Sequence, residues 1–144
     1  MPLFRRERKS KSVRQNVRQN IPITSIKDSL LDLIISCAKD SHPKEFGAIL
    51  KSKEPGIIDE LNLLPGTIAG EESALFRLHM LPIDFEVIGT VHSHPSPIFL
   101  PSGADLEFFE HFGKVHIIIA YPYTKKSWNA YNFKGEVIEL QVTP

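Results

Sequence analysis

Apolar side chains recur at helical spacing near the start of the chain. Ile26, Leu30, Leu33, Ile34, Cys37 and Ala38 form one stripe, and Asp28, Asp32 and Lys39 fall off it. Thr24 or Ser25 can cap such a helix, with Asp28 in a capping-box-like place three residues after Ser25. Pro43 disfavours helical geometry at His42, so the helix is expected to stop near Ser41. Beyond it the period changes. Residues 45–51 and 57–64 read as two strands of a hairpin, with Pro55-Gly56 as the turn between them. Pro65-Gly66 and Gly70 mark a loop. Residues 74–80 alternate as a third strand, residues 82–85 suit a short helical turn, and residues 87–92 read as a buried strand.

The second half continues in the same style. Pro95, Pro97 and Pro101 stiffen a loop. Ser102 is placed to cap a following helix with Asp105 at its third position, and Leu106, Phe109 and Phe112 give that helix an apolar side. Residues 115–121 are β-branched and almost wholly apolar, which predicts a central strand covered on both faces, ended by Pro122. Residues 128–133 and 137–142 read as a closing hairpin across Lys134-Gly135. One helix, then mostly strands with a second helix, predicts an α/β layered fold around a mixed sheet.

Composition narrows the class. At 144 residues with 42% hydrophobic content, the chain suits one soluble globular domain. No apolar run reaches the ~18 residues of a membrane span, and the basic start lacks the apolar core of a secretory signal. The single Cys37 excludes an internal disulfide framework and a Cys-rich zinc cluster, and fits a reducing cytoplasm. The net charge of zero hides an asymmetry. Residues 1–20 hold seven Lys or Arg (Arg5, Arg6, Arg8, Lys9, Lys11, Arg14, Arg18) against Glu7, so they carry +6 and residues 21–144 carry −6. The expected division is a flexible basic tail at 1–20 and a folded domain at 21–144. Such a tail, through residues 5–18, can contact nucleic acid or an acidic partner.

The candidate chemistry sits in VHSHPSPIFLPSGAD, residues 91–105. In an extended segment, side chains two apart share a face, so His92 and His94 can point at one spot. Neutral imidazole is a donor that suits zinc, and Asp105 can supply a third, anionic ligand once the chain folds back. Three protein ligands leave a fourth position for water, the plan of a catalytic rather than a structural site. The other histidines (His42, His79, His111 and His116) read as ordinary surface or core residues, and Arg77 and Trp128 as packing or surface groups. Ser93 and Pro95 are read as shaping the loop. A nucleobase deaminase is excluded for want of a Pro-Cys-x-x-Cys pair, and no His-Glu-x-x-His is present.

The run His92-x-His94-x7-Ser102-x2-Asp105, with Pro95 after the second His, resembles the JAMM (MPN+) metalloprotease motif. Glu45, in PKEFGAIL before Gly47, matches the glutamate that this family places near the start of its domain. The resemblance covers roughly residues 23–142, and its short form looks most like single-domain archaeal members. It implies an MPN fold, a curved mixed sheet between helices, with one Zn2+ per chain between a central strand and the following helix. It implies His92, His94 and Asp105 as metal ligands, Glu45 as general base and acid, and Ser102 as an oxyanion donor. The implied reaction is hydrolysis of the peptide or isopeptide bond after the C-terminal Gly-Gly of a ubiquitin-like or sulfur-carrier protein. Only seven residues separate His94 from Ser102, so broad rather than linkage-selective cleavage is expected. Two alternatives stand beside this reading: a non-catalytic MPN scaffold, and a RadC-like nucleic-acid-associated protein carrying a similar run.

Overall fold

Val115–Ala120 is buried at every residue, and the architecture is arranged around it. In the computed structural model, which describes residues 21–63, 87–111 and 113–144, the elements run in the following order. They are β1 (Ser25–Lys27), α1 (Asp28–Ser41), β2 (Gly47–Lys51), β3 (Ile57–Ile58), β4 (Glu60–Leu63), β5 (Val87–His94), α2 (Gly103–His111), β6 (Val115–Ala120), β7 (Trp128–Tyr131), β8 (Val137–Ile138) and β9 (Gln141–Thr143). Six strands form one sheet in the order β4-β2-β5-β6-β7-β8, and β3-β1-β9 form a second. Among the described strands of the large sheet, only β5 and β6 pair in parallel, and α2 is the crossover between them. The mixed α/β sheet expected from the sequence is therefore present.

The two faces of the large sheet are covered by different helices. Leu30, Ile34 and Ala38 of α1 pack on Ala48, Leu50, Val91, Val115, Ile117, Ile119 and Ala130. On the other face, Phe109 of α2 packs with Ile118 and Tyr131. The crossover needs a tight approach of backbone. Gly113 has φ +83, and a Cβ at Gly89 would collide with the carbonyl of Val115, so neither position accepts a side chain without rearrangement.

Several expected boundaries move, each for a tertiary reason. Ser25 does not cap the first helix. Ser25–Lys27 is a strand, paired in parallel with Ile57–Ile58 on one side and Gln141–Thr143 on the other, and the helix starts at Asp28. Two ladders of hydrogen bonds override a local capping signal. The expected strand over 57–64 is split. Asp59 turns out of the ladder to accept hydrogen bonds from the backbone N–H groups of Lys53 and Glu54 (3.0 and 2.8 Å), leaving β3 in one sheet and β4 in the other. The closing hairpin is likewise short, because Gln141–Thr143 leaves the large sheet to pair with β1. The apolar side of α2 keeps Phe109 as expected but not Leu106. Asp105, Phe108 and Phe109 face the sheet while Leu106 is 39% exposed.

The expected strand over 74–80, the turn over 82–85, Phe112 and the basic tail lie outside the described residues. Among the described residues, no helix is long and apolar enough to cross a membrane.

Candidate metal centre

The site is built where β5 emerges from the sheet. Hydrogen bonding extends β5 to His94, two residues beyond the expected end. The backbone N–H of Tyr121 donates to His94 O (3.0 Å), and that of Ser93 donates to Phe46 O (2.9 Å). Both histidines thus lie on regular strand, on the face that meets α2. That face is set by register: Gly47 lies opposite His92 on one side, and Ile118 and Ala120 flank His92 and His94 on the other.

Asp105 comes from the first turn of α2, held by a reciprocal pair of hydrogen bonds. The Ser102 backbone N–H donates to Asp105 Oδ2 (2.9 Å), and the Asp105 N–H donates to Ser102 Oγ (3.1 Å). This satisfies one otherwise unpaired helix N–H and fixes the carboxylate at once. Because Ser102 Oγ accepts there, its own O–H stays available to donate. Ser102 is exposed, whereas Asp105 is only 3% exposed.

The result is a triangle of donor atoms. His92 Nε2 and His94 Nε2 are 3.1 Å apart, His92 Nε2 is 3.2 Å from Asp105 Oδ1, and His94 Nε2 is 3.3 Å from Asp105 Oδ2. Tetrahedral ligation with bonds of ~2.0–2.1 Å sets ligand atoms roughly 3.3 Å apart, so the triangle has the size of a zinc site. Its tautomers suit a cation as well. His94 Nδ1 donates to Ile98 O at 2.9 Å, which leaves the lone pair on Nε2 facing the other two donors. Three lone-pair sources converging on one point require a proton or a metal ion between them.

The same convergence shifts the ionisation of the free side chains. Burial alone would raise the Asp105 carboxyl, but hydrogen bonds from His92 and His94 outweigh it and hold the group well below the usual carboxylate range. Burial alone would lower His94, but the hydrogen bonds to Asp105 and Ile98 and the charges of Asp105 and Glu45 raise it. His92, His94 and Asp105 are the residues, among those described, that can hold a metal ion together.

Glu45 stands beside this triangle. It lies two residues before Gly47, so continuing the antiparallel register places it across from His94, and its charge reaches that ring. It is half-buried. The loop between the ligands is pinned twice, by the His94–Ile98 bond and by Tyr131, whose hydroxyl donates to Phe99 O at 2.5 Å.

The remaining histidines separate from the site. His116 is fully buried: Nδ1 accepts from Thr90 Oγ1 (2.7 Å), Nε2 donates to Gly113 O (3.3 Å), and the ring stacks on Phe109 at 4.2 Å. Burial pushes it down to about 4, helped by the nearby His92, so it is a neutral core residue. His42 is exposed and bonds to Tyr123. His79 and the side chain of His111 lie outside the described residues. From the sequence, Ser93 reads as a loop former. It is instead fully buried on β5, and its Oγ accepts a hydrogen bond from Phe46 N–H at 2.8 Å. The available signal was a hydroxyl at the inward position of a core strand.

Comparison with known proteins agrees with this geometry. Residues 27–132 match the family described as prokaryotic homologs of the JAB domain. A probable metalloprotease of Haloferax volcanii is 33% identical over 129 residues, covering 83% of this chain and 80% of the relative. A JAB1/MPN domain protein from Archaeoglobus fulgidus is 45% identical with a TM-score of 0.69, covering 84% of this chain and 100% of that one. A second solved structure, described as JAMM, a metalloprotease-like zinc site in the proteasome and signalosome, is 42% identical with a TM-score of 0.68, covering 85% and 99%. With its mixed sheet, its His-His-Asp triangle and these relatives, the chain belongs to the JAMM/MPN family as one of the prokaryotic JAB-domain proteins.

Proposed function

We propose that this chain is a zinc-dependent peptidase or isopeptidase that hydrolyses the bond after the C-terminal Gly-Gly of a small ubiquitin-like modifier in a reducing cytoplasm. The observation that carries the reading is the donor triangle of His92, His94 and Asp105, with a carboxylate beside it that is not part of it. The names borne by the Haloferax and JAMM relatives support the same class.

Those three residues would hold one zinc ion, which when bound polarises a carbonyl and lowers the pKa of water from ~15.7 toward ~7. Glu45 would take a proton from the attacking water and deliver it to the leaving amine, the double duty of a half-buried carboxylate beside the donor triangle. Ser102 donates its free O–H to the oxyanion that develops on the carbonyl. Loss of such a donor costs about 10²–10³ in kcat, so Ser102→Ala is expected to fall in that range. The Gly-Gly end of the substrate is narrow and extended, and suits a strand-like approach along a sheet edge.

The test is incubation of the purified chain with ubiquitin joined through its C-terminal Gly-Gly to a reporter or to a lysine, with and without chelator. Cleavage after Gly that chelator stops and zinc restores supports the proposal. Glu45→Gln is expected to keep its zinc and lose turnover, and near wild-type turnover in that variant would remove Glu45 from its assigned role.

A further inference from the structure

Glu45 lies in the link of residues 42–46 between α1 and β2. A general base on a connecting segment needs its backbone held, because a displacement of about 1 Å at a reacting group can cost about 10²-fold in rate. The link is fastened on both sides of Glu45. On the far side, the backbone N–H of Phe46 donates to Ser93 Oγ (2.8 Å) while Ser93 N–H donates to Phe46 O (2.9 Å). The hydroxyl here stands in for a ladder carbonyl, and Ser93 is fully buried between the two histidines. On the near side, His42 Nδ1 meets the Tyr123 hydroxyl at 2.7 Å, and its ring stacks on Tyr121 at 5.1 Å and 27°. Tyr121 in turn donates its backbone N–H to His94 O. Both fastenings therefore end on the strand that carries the histidines, one through Ser93 and one through the carbonyl of His94.

We infer that Ser93 and the His42–Tyr123 pair are positioning residues that mount Glu45 on the metal-ligand strand. The inference rests on the reading of Glu45 as the proton carrier. It assigns no contact with substrate to Ser93, His42 or Tyr123. Without the Ser93 hydroxyl, a buried N–H of the link loses its partner, and the backbone next to Glu45 has to shift to find another. Without the Tyr123 hydroxyl, the near end loses its hydrogen bond at a residue that is not one of the three donor residues, so zinc content separates an effect on Glu45 from an effect on the ligands.

The experiment compares Ser93→Ala, Ser93→Thr and Tyr123→Phe with the wild-type chain and with Glu45→Gln. It reads crystal structures of the zinc-loaded proteins, zinc content, and kcat and KM on a ubiquitin–reporter fusion. Ser93→Ala is expected to keep its zinc, to move the Glu45 carboxylate by about 1 Å or more from its place near His94, and to lose about 10²-fold in kcat at unchanged KM. Ser93→Thr keeps the hydroxyl and is expected to restore both position and rate. Tyr123→Phe is expected to show the same pattern in smaller degree, a fall of about threefold to tenfold in kcat. An unmoved Glu45 in both Ser93→Ala and Tyr123→Phe would overturn the inference whatever the rates, as would zinc loss in step with the loss of activity. If Glu45→Gln is inactive while Ser93→Ala and Tyr123→Phe run at the wild-type rate, the mount fails and the proton carrier stands. If Glu45→Gln turns over normally, the proton carrier fails and the mount with it.

Discussion

The two faces of β5 show what a strand's alternation can separate. Toward α1 it presents Val91 among Ile34, Ala38, Leu50 and Ile117, a dry surface whose residues have no partner but one another. Toward α2, one position along, it presents Thr90, His92 and His94, each engaged with a specific group: His116, Asp105, and Asp105 with Ile98 O. The same eight residues thus anchor a core and display a donor set, because side chains two apart share a face and those one apart do not. Ser93 is the exception that joins the two. It points into the apolar side, and its hydroxyl is used there to hold Phe46. The lesson is that changes on one face should cost the metal, and changes on the other should cost the fold.

The largest separation is expected at the ligands. His92→Ala and Asp105→Asn should lose zinc and all zinc-dependent cleavage, while their unfolding midpoints stay near that of the metal-free wild-type chain. On the opposite face, Ile117→Ala should cost about 2–5 kcal/mol of stability through the cavity it leaves. The folded fraction of that variant should still take up zinc, as measured by titration below its melting transition. If Ile117→Ala abolished zinc binding in the folded state, the two faces would not be independent.

A smaller effect sharpens the contrast within the α2 face itself. His116 is neutral in the fold down to about pH 4, whereas a free histidine takes its proton near ~6.5. Between those values the unfolded chain binds a proton that the native chain refuses. His116 therefore contributes stability that is full above ~6.5 and is lost as pH falls toward 4, by up to ~3 kcal/mol. Denaturant midpoints of the metal-free chain against those of His116→Gln should differ in slope across this window, with the variant flatter. Equal slopes would contradict a buried neutral His116. The smallest effect belongs to neither face. Lys125, raised by its hydrogen bond to Asp28 and by the charges of Asp28 and Asp32, makes exposed ion pairs at 2.8 and 3.4 Å. Lys125→Met should leave both melting temperature and zinc content unchanged within error.

Much of this was legible in the chain. The central strand, expected over 115–121 and found over 115–120, the helix ending at Ser41 and the alternation of His92 and His94 are local patterns that the fold obeys. Ser102 was readable as a helix cap with Asp105 at the third position, and the reciprocal pair they form is what aims the carboxylate. The misread elements are those whose partners lie far along the chain. Ser25–Lys27 looks like a helix start until Gln141–Thr143 arrives beside it, and 57–64 looks like one strand until Asp59 finds the turn at Lys53 and Glu54. Glu45 could be proposed only by its place before Gly47. Its nearness to His94 follows from a cross-strand register that no local pattern encodes. Ser93 reads as a loop former, and Tyr123 carries no local signal, for the same reason: their partners are 47 and 81 residues away.

The most direct test of the central claim is zinc stoichiometry, measured by elemental mass spectrometry on metal-free protein re-equilibrated with zinc and freed of excess. One zinc per chain is expected in the wild type and in Glu45→Gln, and none in His92→Ala or Asp105→Asn. A wild-type chain that retains no zinc, or a His92→Ala chain that retains as much as the wild type, would contradict it.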